Sequence, residues 1–502
     1  MPTRRDFLSL AALGALVPWR VEAQTKAKPK AKGKGGKPEA EGVFVNDVHS
    51  QMSSAMVSQI LTPASVDEVR GALKLAREEE RGVCISGARH SMGHQGFGTD
   101  AILLDTRKMS RVLGFDTGRG LIEVEAGMQW PQLLNELNVA QRGDHQPWAF
   151  AQKQTGVDRV TIGGSLSANM HGRGLAMPPF VNDIEAFRLV SARGELVRCS
   201  RSDNPELFAA AIGGYGLFGF VYSVTLRLQP RRKMQRLVEL RGAAGLAKTF
   251  AERIEDGFTY GEFEFSVDPK EGEFLDRGVL SCWRPVADDM PMQGIQRDLS
   301  EADRKEMQYL AHADKPEAFR RYARYCMSTH ERVYWSDELQ MDPYPEQYHR
   351  DIDRRTGARG NDVLTETFCE REALEPFLAE VRALARRDEV SVVHATLRLI
   401  EEDKETFLAW ARRPYACLTL NLHVERGSRG LIRAGDTFRR LIDAGLRYGG
   451  GYHLAYHRHA IKRQVQAAYP QFPQFLKLKR KYDPQEMFQS DWYRHYKEIL
   501  ER

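Results

Sequence analysis

Two stretches of this 502-residue chain combine residue types that can hold a phosphate and a flat ligand. The first runs Ile85-Ser86-Gly87-Ala88-Arg89-His90-Ser91-Met92-Gly93-His94-Gln95-Gly96. Small residues let consecutive backbone N–H groups converge on one anion, and a histidine stands inside the loop. The same residues can also make an ordinary turn carrying a surface histidine. The second stretch is Val160-Thr161-Ile162-Gly163-Gly164-Ser165-Leu166-Ser167-Ala168-Asn169-Met170-His171-Gly172. Its glycine pair and small side chains let the backbone approach a flat ligand. Close packing of a helix on a strand asks for the same residues. A third stretch, Gly214-Tyr215-Gly216-Leu217-Phe218-Gly219, has the GxGxxG spacing of the dinucleotide fingerprint. That fingerprint needs a strand before it and a helix after it, so that the helix N-terminus meets the pyrophosphate. Here a helical pattern precedes and a strand pattern follows, which excludes a Rossmann site.

The elements that must present these loops follow from periodicity. Residues 65–80 place apolar side chains at helical spacing, and residues 82–86 and 101–105 read as strands, so the first loop leaves a strand end. Residues 121–125 predict another strand, then a turn at Ala126-Gly127 and a helix from Pro131, a residue suited to a first helical turn. Residues 184–190 and 195–199 predict a hairpin turning at Ala192-Arg193-Gly194; residues 205–212 predict a helix and 220–228 a strand. From 231 to 460 the pattern changes to longer strands and long charged helices, such as 372–387 and 430–448. No internal repeat is visible.

Apolar residues make up 42% and charged residues 28%, ordinary globular usage, so collagen-like, disordered and coiled-coil classes are excluded. The length suits two or three domains. Net charge is +5, and all of it sits at the N-terminus: three Arg against Asp6 and Glu22, then six Lys between residues 25 and 41 against Glu39 and Glu41. The remaining body is neutral, which gives a nucleic-acid partner no support. Thr3-Arg4-Arg5-Asp6-Phe7-Leu8 followed by an apolar stretch to Val17 reads as a twin-arginine signal, with cleavage expected after Ala23. That apolar stretch is shorter than the about 20 residues a membrane span needs, and no later segment looks transmembrane. The expected location is therefore periplasmic or secreted, through the twin-arginine export machinery, a route that carries folded and often cofactor-loaded proteins. Residues 24–43 read as a basic flexible linker. The six cysteines are scattered without CxxC or metal spacing and are expected to be buried thiols; no metal site is expected.

Together the loops at 85–96 and 160–172 and the turn at 213–221 resemble the vanillyl-alcohol-oxidase superfamily of FAD-linked (PCMH-type) flavoproteins. The likeness is strongest over 57–230 and nearest to the alditol oxidase, aldonolactone oxidase and decaprenylphosphoryl-ribose oxidase branch. It implies an α+β chain: a PCMH-type FAD-binding domain at 44–230, a separate α+β substrate or cap domain at 231–460, and a C-terminal segment at 461–502 returning to the FAD domain. The run Tyr469-Pro470, Lys481-Tyr482-Asp483-Pro484, Phe488 and Ser490 resembles that returning tail. By this resemblance Ser86, Gly87, Ala88, Arg89, His90, Ser91, Gln95, Thr161, Gly163, Gly164, Ser167, His171, Gly172 and Val221 bind FAD. His90 matches the histidine joined covalently to the flavin 8α-methyl, and His94, standing where relatives often have Gly, is a second candidate for that link. No cysteine lies between 150 and 190, which disfavours a cysteine link.

Thr396-Leu397-Arg398 resembles a Glu-x-Arg pair on the floor of the alditol oxidase site, with Thr396 replacing the Glu. Gly451-Tyr452-His453-Leu454-Ala455-Tyr456 resembles a segment that carries an active-site Lys, and Tyr456 takes its place. The chemistry implied is oxidation of a CH–OH group of a polyol, sugar or aldonolactone by hydride transfer to flavin N5. Arg398 would stabilise the developing alkoxide, and Tyr456 or His453 would orient the hydroxyl or take its proton. Oxygen or a quinone or cytochrome would reoxidise the flavin. Alternatives on the same fold are a reductase or dehydrogenase of another class, acting on a sterol, an enolpyruvyl sugar or an amine, and a non-catalytic flavin- or sugar-binding module.

Overall fold

The computed structural model describes residues 42–292, 299–342, 348–357 and 359–502. The expected signal sequence and nearly all of the expected linker, residues 1–41, lie outside the described residues. Strands Gln59–Leu61, Ile102–Asp105 and Val83–Ser86 pair in parallel in that order. Helix Val66–Glu78 is the crossover between Gln59–Leu61 and Val83–Ser86, the two outer strands of this sheet. Ser65 caps its N-terminus, Oγ accepting from Glu68 N at 3.2 Å, and Val69, Ala72, Leu73 and Ala76 form its buried stripe. A second, antiparallel sheet runs Leu196–Ser200, Ile184–Val190, Phe220–Pro230, Leu121–Glu125, Val112–Asp116, with Trp148–Phe150 also on the long 220–230 strand. The expected hairpin at 184–200 is present, and helix Trp130–Ala140 carries Pro131 in its first turn. Helix Pro205–Ala211 precedes the GxGxxG stretch and strand Phe220–Pro230 follows it, an order opposite to that of a dinucleotide fingerprint.

The third sheet is antiparallel and has eight strands in the order Val333–Trp335, Lys233–Gly242, Arg277–Pro285, Tyr260–Phe265, Val392–Ile400, Tyr415–Glu425, Gly360–Glu370, Gly451–Tyr452. Its two faces differ sharply in chemistry. One carries Phe263, Phe265, Ala395, Leu397, Leu399, Leu418, Leu420, Leu422 and Val363, and helices Leu246–Glu255, Leu374–Arg387 and Ser428–Arg447 cover it. Each such buried Leu or Phe contributes about 1.5–3 kcal/mol. The opposite face is set by the register: Glu366 lies across from Thr419, Thr419 from Thr396, and Thr396 from Glu264. Because side chains alternate along a strand, Asp362 and Leu364 share that face with Glu366, and Arg398 with Thr396. An antiparallel sheet with one apolar face needs no more than one covered side, which frees the polar face for chemistry.

The C-terminus returns to the first sheet. Val83 N donates to Met487 O (2.7 Å) and Gln489 N to Val83 O (2.8 Å), so the tail flanks the strand that leads into the 87–96 loop. The turn is held by buried Asp483, which accepts from Met487 N (2.9 Å) and Phe488 N (2.8 Å) and pairs with buried Lys479. All six cysteines are buried thiols.

Candidate active site

A cavity with about 1210 Å³ of empty space, part of it open to solvent, lies between the loops of the N-terminal half and the polar face of the eight-stranded sheet. Twelve of the residues expected at the cofactor line it: Ser86, Gly87, Ala88, Arg89, His90, Ser91, Gln95, Thr161, Gly163, Gly164, Ser167 and Val221. His171 and Gly172 do not. A Cβ on Gly172 would come within 2.7 Å of the Lys153 carbonyl oxygen, so this glycine permits backbone packing, and His171 turns to the carboxylate of Glu366.

The loops are pinned to each other by close approach. Thr161 caps helix Ile162–Ala168, its Oγ1 accepting from Gly164 N at 3.1 Å, and a Cβ on Gly87 would stand 2.2 Å from that same oxygen. Gly163 N donates to Ala126 O at 2.8 Å, and a Cβ there would meet the Ala126 methyl at 2.8 Å. Arg89 and His94 both adopt the left-handed backbone region, with φ of 64° and 65°. A side chain in this region costs about 1–2 kcal/mol, so both loop positions are strained. Of the two candidate linkage histidines, His90 lines the cavity and His94 does not. Burial, aided by the charge of Arg159, pushes the His90 imidazole down to about 4, so it is neutral at physiological pH.

Across the cavity, Leu364, Ala455, Tyr456 and Gln154 form the other wall. Tyr456 Oη donates to Glu366 Oε2 (3.0 Å) and accepts from Gln154 Nε2 (3.3 Å). Glu366 also receives His171 Nε2 on Oε1 (2.8 Å) and Thr419 Oγ1 on Oε2 (3.3 Å). Burial alone would favour a neutral Glu366, but His171, then His453 and the Tyr456 hydroxyl, outweigh it and hold the carboxyl down to about 2. His453 faces its Nε2 to the Ala168 carbonyl oxygen at 3.2 Å, which as an acceptor requires Nε2–H and leaves Nδ1 a lone pair. Burial keeps this imidazole at about 4. Gln95 ties the walls together, Nε2 donating to Leu454 O at 2.7 Å.

Of the three expected catalytic residues, only Tyr456 reaches the cavity surface. His453 packs behind it, with ring centroids 5.6 Å apart. Arg398 is mostly buried and gives its Nε to Glu262 Oε2 at 3.2 Å; its charge reaches Tyr456, whose hydroxyl it acidifies against a net upward shift from burial. Glu366 was missed from sequence, as were Gln154, Tyr215, Gly216 and Gly219 in the cavity wall. The signal for Glu366 is an acidic residue that alternates with the β-branched Val363, Thr365 and Thr367 of its strand. Among the described residues, Thr396 Oγ1, Asn421 Oδ1 and His453 Nδ1 are buried without a hydrogen-bond partner. On the other wall Arg89 Nε and Thr106 Oγ1 are likewise unsatisfied, and the glycine cradle leaves space for a flat cofactor with phosphates, so the residues present fit FAD.

Comparison with known proteins agrees with this division. A family model described as an FAD binding domain matches residues 57–200, and one described as D-arabinono-1,4-lactone oxidase matches residues 363–496. The chain is similar to L-gulonolactone oxidase of Bos taurus, 34% identical over 173 residues that make up 34% of this chain and 38% of the relative. It is 27% identical to decaprenylphosphoryl-beta-D-ribose oxidase of Mycolicibacterium smegmatis over 222 residues, 42% of this chain and 47% of that protein. Cytokinin dehydrogenase 4 of Oryza sativa is 28% identical over 248 residues, 46% and 44%. Each match spans less than half the length of the relative.

Proposed function

We propose that this chain, a member of the aldonolactone-oxidase branch of the PCMH-type FAD-linked oxidases, oxidises a CH–OH carbon of an aldonolactone, sugar or polyol. The observation that carries the reading is the cavity bounded by a glycine cradle on one side and by Tyr456, backed by Glu366, on the other. FAD, when bound, supplies the hydride acceptor. Tyr456 donates its hydrogen to Glu366 and accepts from Gln154, which leaves one oxygen lone pair to receive the substrate hydroxyl. As the hydride leaves carbon, the hydroxyl proton passes to water in the solvent-open cavity, while Tyr456, oriented by the ionised Glu366, holds the reacting oxygen in place. Arg398, behind the wall, adds positive field where alkoxide character develops. The test is anaerobic mixing of the oxidised enzyme with L-gulono-1,4-lactone, D-arabinono-1,4-lactone, alditols and aldoses, with flavin bleaching as the readout. Bleaching by an amine such as a cytokinin and by none of these would overturn the substrate class and leave the flavin assignment standing.

The finer features belong to the same proposal. The chain divides into an FAD-binding domain at 44–230, a cap domain at 231–460 and a returning tail at 461–502. His90 carries the flavin covalently, supported by its position on the cavity and its neutral imidazole. Acid-precipitated holoenzyme should stay yellow, and His90→Ala should lose the flavin-labelled peptide while His94→Ala keeps it. Oxygen, a quinone or a cytochrome takes the electrons. Residues 1–23 direct export to the periplasm by the twin-arginine route; exchanging Arg4 and Arg5 for Lys should retain the protein in the cytoplasm. Among the described residues no helix is long and apolar enough to cross a membrane.

A further inference from the structure

On the same strand face as Glu366 and Leu364, two residues beyond the cavity wall, Asp362 meets two histidines from different elements. His423 is its direct cross-strand partner, Nδ1 standing 2.8 Å from Oδ1. His312, in the last turn of helix Glu301–Ala313, places Nε2 3.1 Å from both Oδ1 and Oδ2. Side-chain exposures are 7% for His312, 1% for Asp362 and 18% for His423, so water screens the group little.

The outer contacts fix which atoms converge. His312 Nδ1 lies 2.8 Å from the Gln308 carbonyl oxygen, which only accepts, so Nδ1 carries hydrogen and Nε2 is the atom left to face Asp362. A histidine whose second nitrogen donates to a carbonyl is the usual arrangement of a metal ligand. The His423 ring lies over Gly360, where a Cβ would come within 2.1 Å of Nε2, so Nδ1 is again the inward atom. Tyr348 donates its hydroxyl to Asp362 Oδ2 at 2.7 Å, leaving Oδ1 toward the two imidazoles. Lys315, the nearby cation, carries its ammonium toward Ser391 Oγ at 3.4 Å. The three donor atoms lie within 4.8 Å of one another, and in a tetrahedral zinc shell, with bonds of about 2.0–2.2 Å, donors stand about 3.3 Å apart. A few tenths of an ångström of outward movement would admit the ion.

We propose that His312 Nε2, Asp362 Oδ1 and His423 Nδ1 bind one divalent transition cation of the zinc class, with water in the fourth position. Two neutral imidazoles and a carboxylate select such an ion over magnesium or calcium, which prefer all-oxygen shells. Its place is positional: it clamps helix Glu301–Ala313 to strands Gly360–Glu370 and Tyr415–Glu425, and so fixes the strand whose next inward residue, Leu364, walls the cavity.

The test uses flavin-loaded full-length protein, stripped with chelator and dialysed against Zn2+ or, separately, Co2+. The parent should retain about one zinc per chain, and the cobalt form should show visible bands to the red of the flavin, as expected for a low-coordinate nitrogen–oxygen site. His312→Ala and His423→Ala should each weaken retention by roughly 100-fold or more at unchanged flavin content. Asp362→Asn, which keeps shape and the Tyr348 contact, guards against misfolding of the alanine variants and should lose the metal too. Zinc should raise the melting temperature of the parent and leave the variants unmoved. A parent that retains no zinc at micromolar concentration, or variants that retain as much as the parent, would overturn the site and leave Asp362 as a carboxylate shared by two imidazoles.

Discussion

The two walls of the cavity are built by different physics. The flavin-side wall is made of backbone and small side chains that are neighbours in sequence: 86–91, 161–167 and 215–221. Its fit depends on what is absent, since a single Cβ at Gly87 would strike Thr161 Oγ1. The sheet-side wall is made of long polar side chains whose partners are remote: 195 residues separate His171 from Glu366, and 90 separate Glu366 from Tyr456. The first wall defines a shape and the second a charge pattern. Changes to the first should act on cofactor occupancy, and changes to the second on rate at full occupancy.

The sharpest test of that division is Gly87→Val. Its Cβ and two methyls cannot enter the gap to Thr161 without shifting a capped helix, an overpacking that costs about 1–3 kcal/mol or more. The protein should emerge with almost no flavin, read as visible absorbance per chain. Normal occupancy would show that the cradle does not rest on this contact.

On the other wall, Tyr456→Phe should keep its flavin and reduce it about 100-fold more slowly with the true substrate, the usual scale for misplacing a reacting group. Arg398→Ala should slow reduction less than the roughly 100-fold expected of a group in direct contact with the reacting oxygen, because its guanidinium is engaged by Glu262 behind the wall. Anaerobic stopped-flow traces of both variants beside the parent rank them. A larger loss in Arg398→Ala would place the arginine, and not the tyrosine, against the substrate.

How much of this was legible in the sequence follows the same line. The strand–loop–helix order around 83–96, the glycine pair and the reversed GxGxxG context are local features, and periodicity and turn chemistry bring them out. His171 and Gly172 were read with the cradle because they follow it in sequence, yet the left-handed turn at Asn169 (φ 44°) carries the chain away from the cavity and toward Glu366. Glu366 itself could not be found by spacing. Its role arises from a register that sets it opposite Thr419 and from a histidine 195 positions away, and neither is encoded within any short window. Asp362 and His423 escaped for the same reason: they are 61 positions apart and become neighbours only through strand pairing.

The smallest expected effect is a pH dependence that appears only in acid and separates the walls. His49, His94, His453 and His459 are each pushed down by burial, to about 3 for the first and about 4 for the others, from an ordinary value of 6.5. Between about pH 6.5 and 4 the unfolded chain therefore binds protons that the folded chain refuses, so stability falls as pH drops through that window. Glu366 behaves differently. Its folded value of about 2 lies below the ordinary 4.5, so its contribution is complete above pH 4.5 and is lost only as pH falls from there toward 2. Glu366→Gln should accordingly shift the urea midpoint by a constant amount at about pH 7, 5.5 and 4.5, and converge on the parent only at about pH 3.5 and below. Convergence that begins already between pH 6.5 and 4.5 would mean that Glu366 takes up a proton in that range. It would then not be the fixed anion against which Tyr456 orients its hydroxyl, and the sheet-side wall would lose the charge pattern that sets it apart from the cradle.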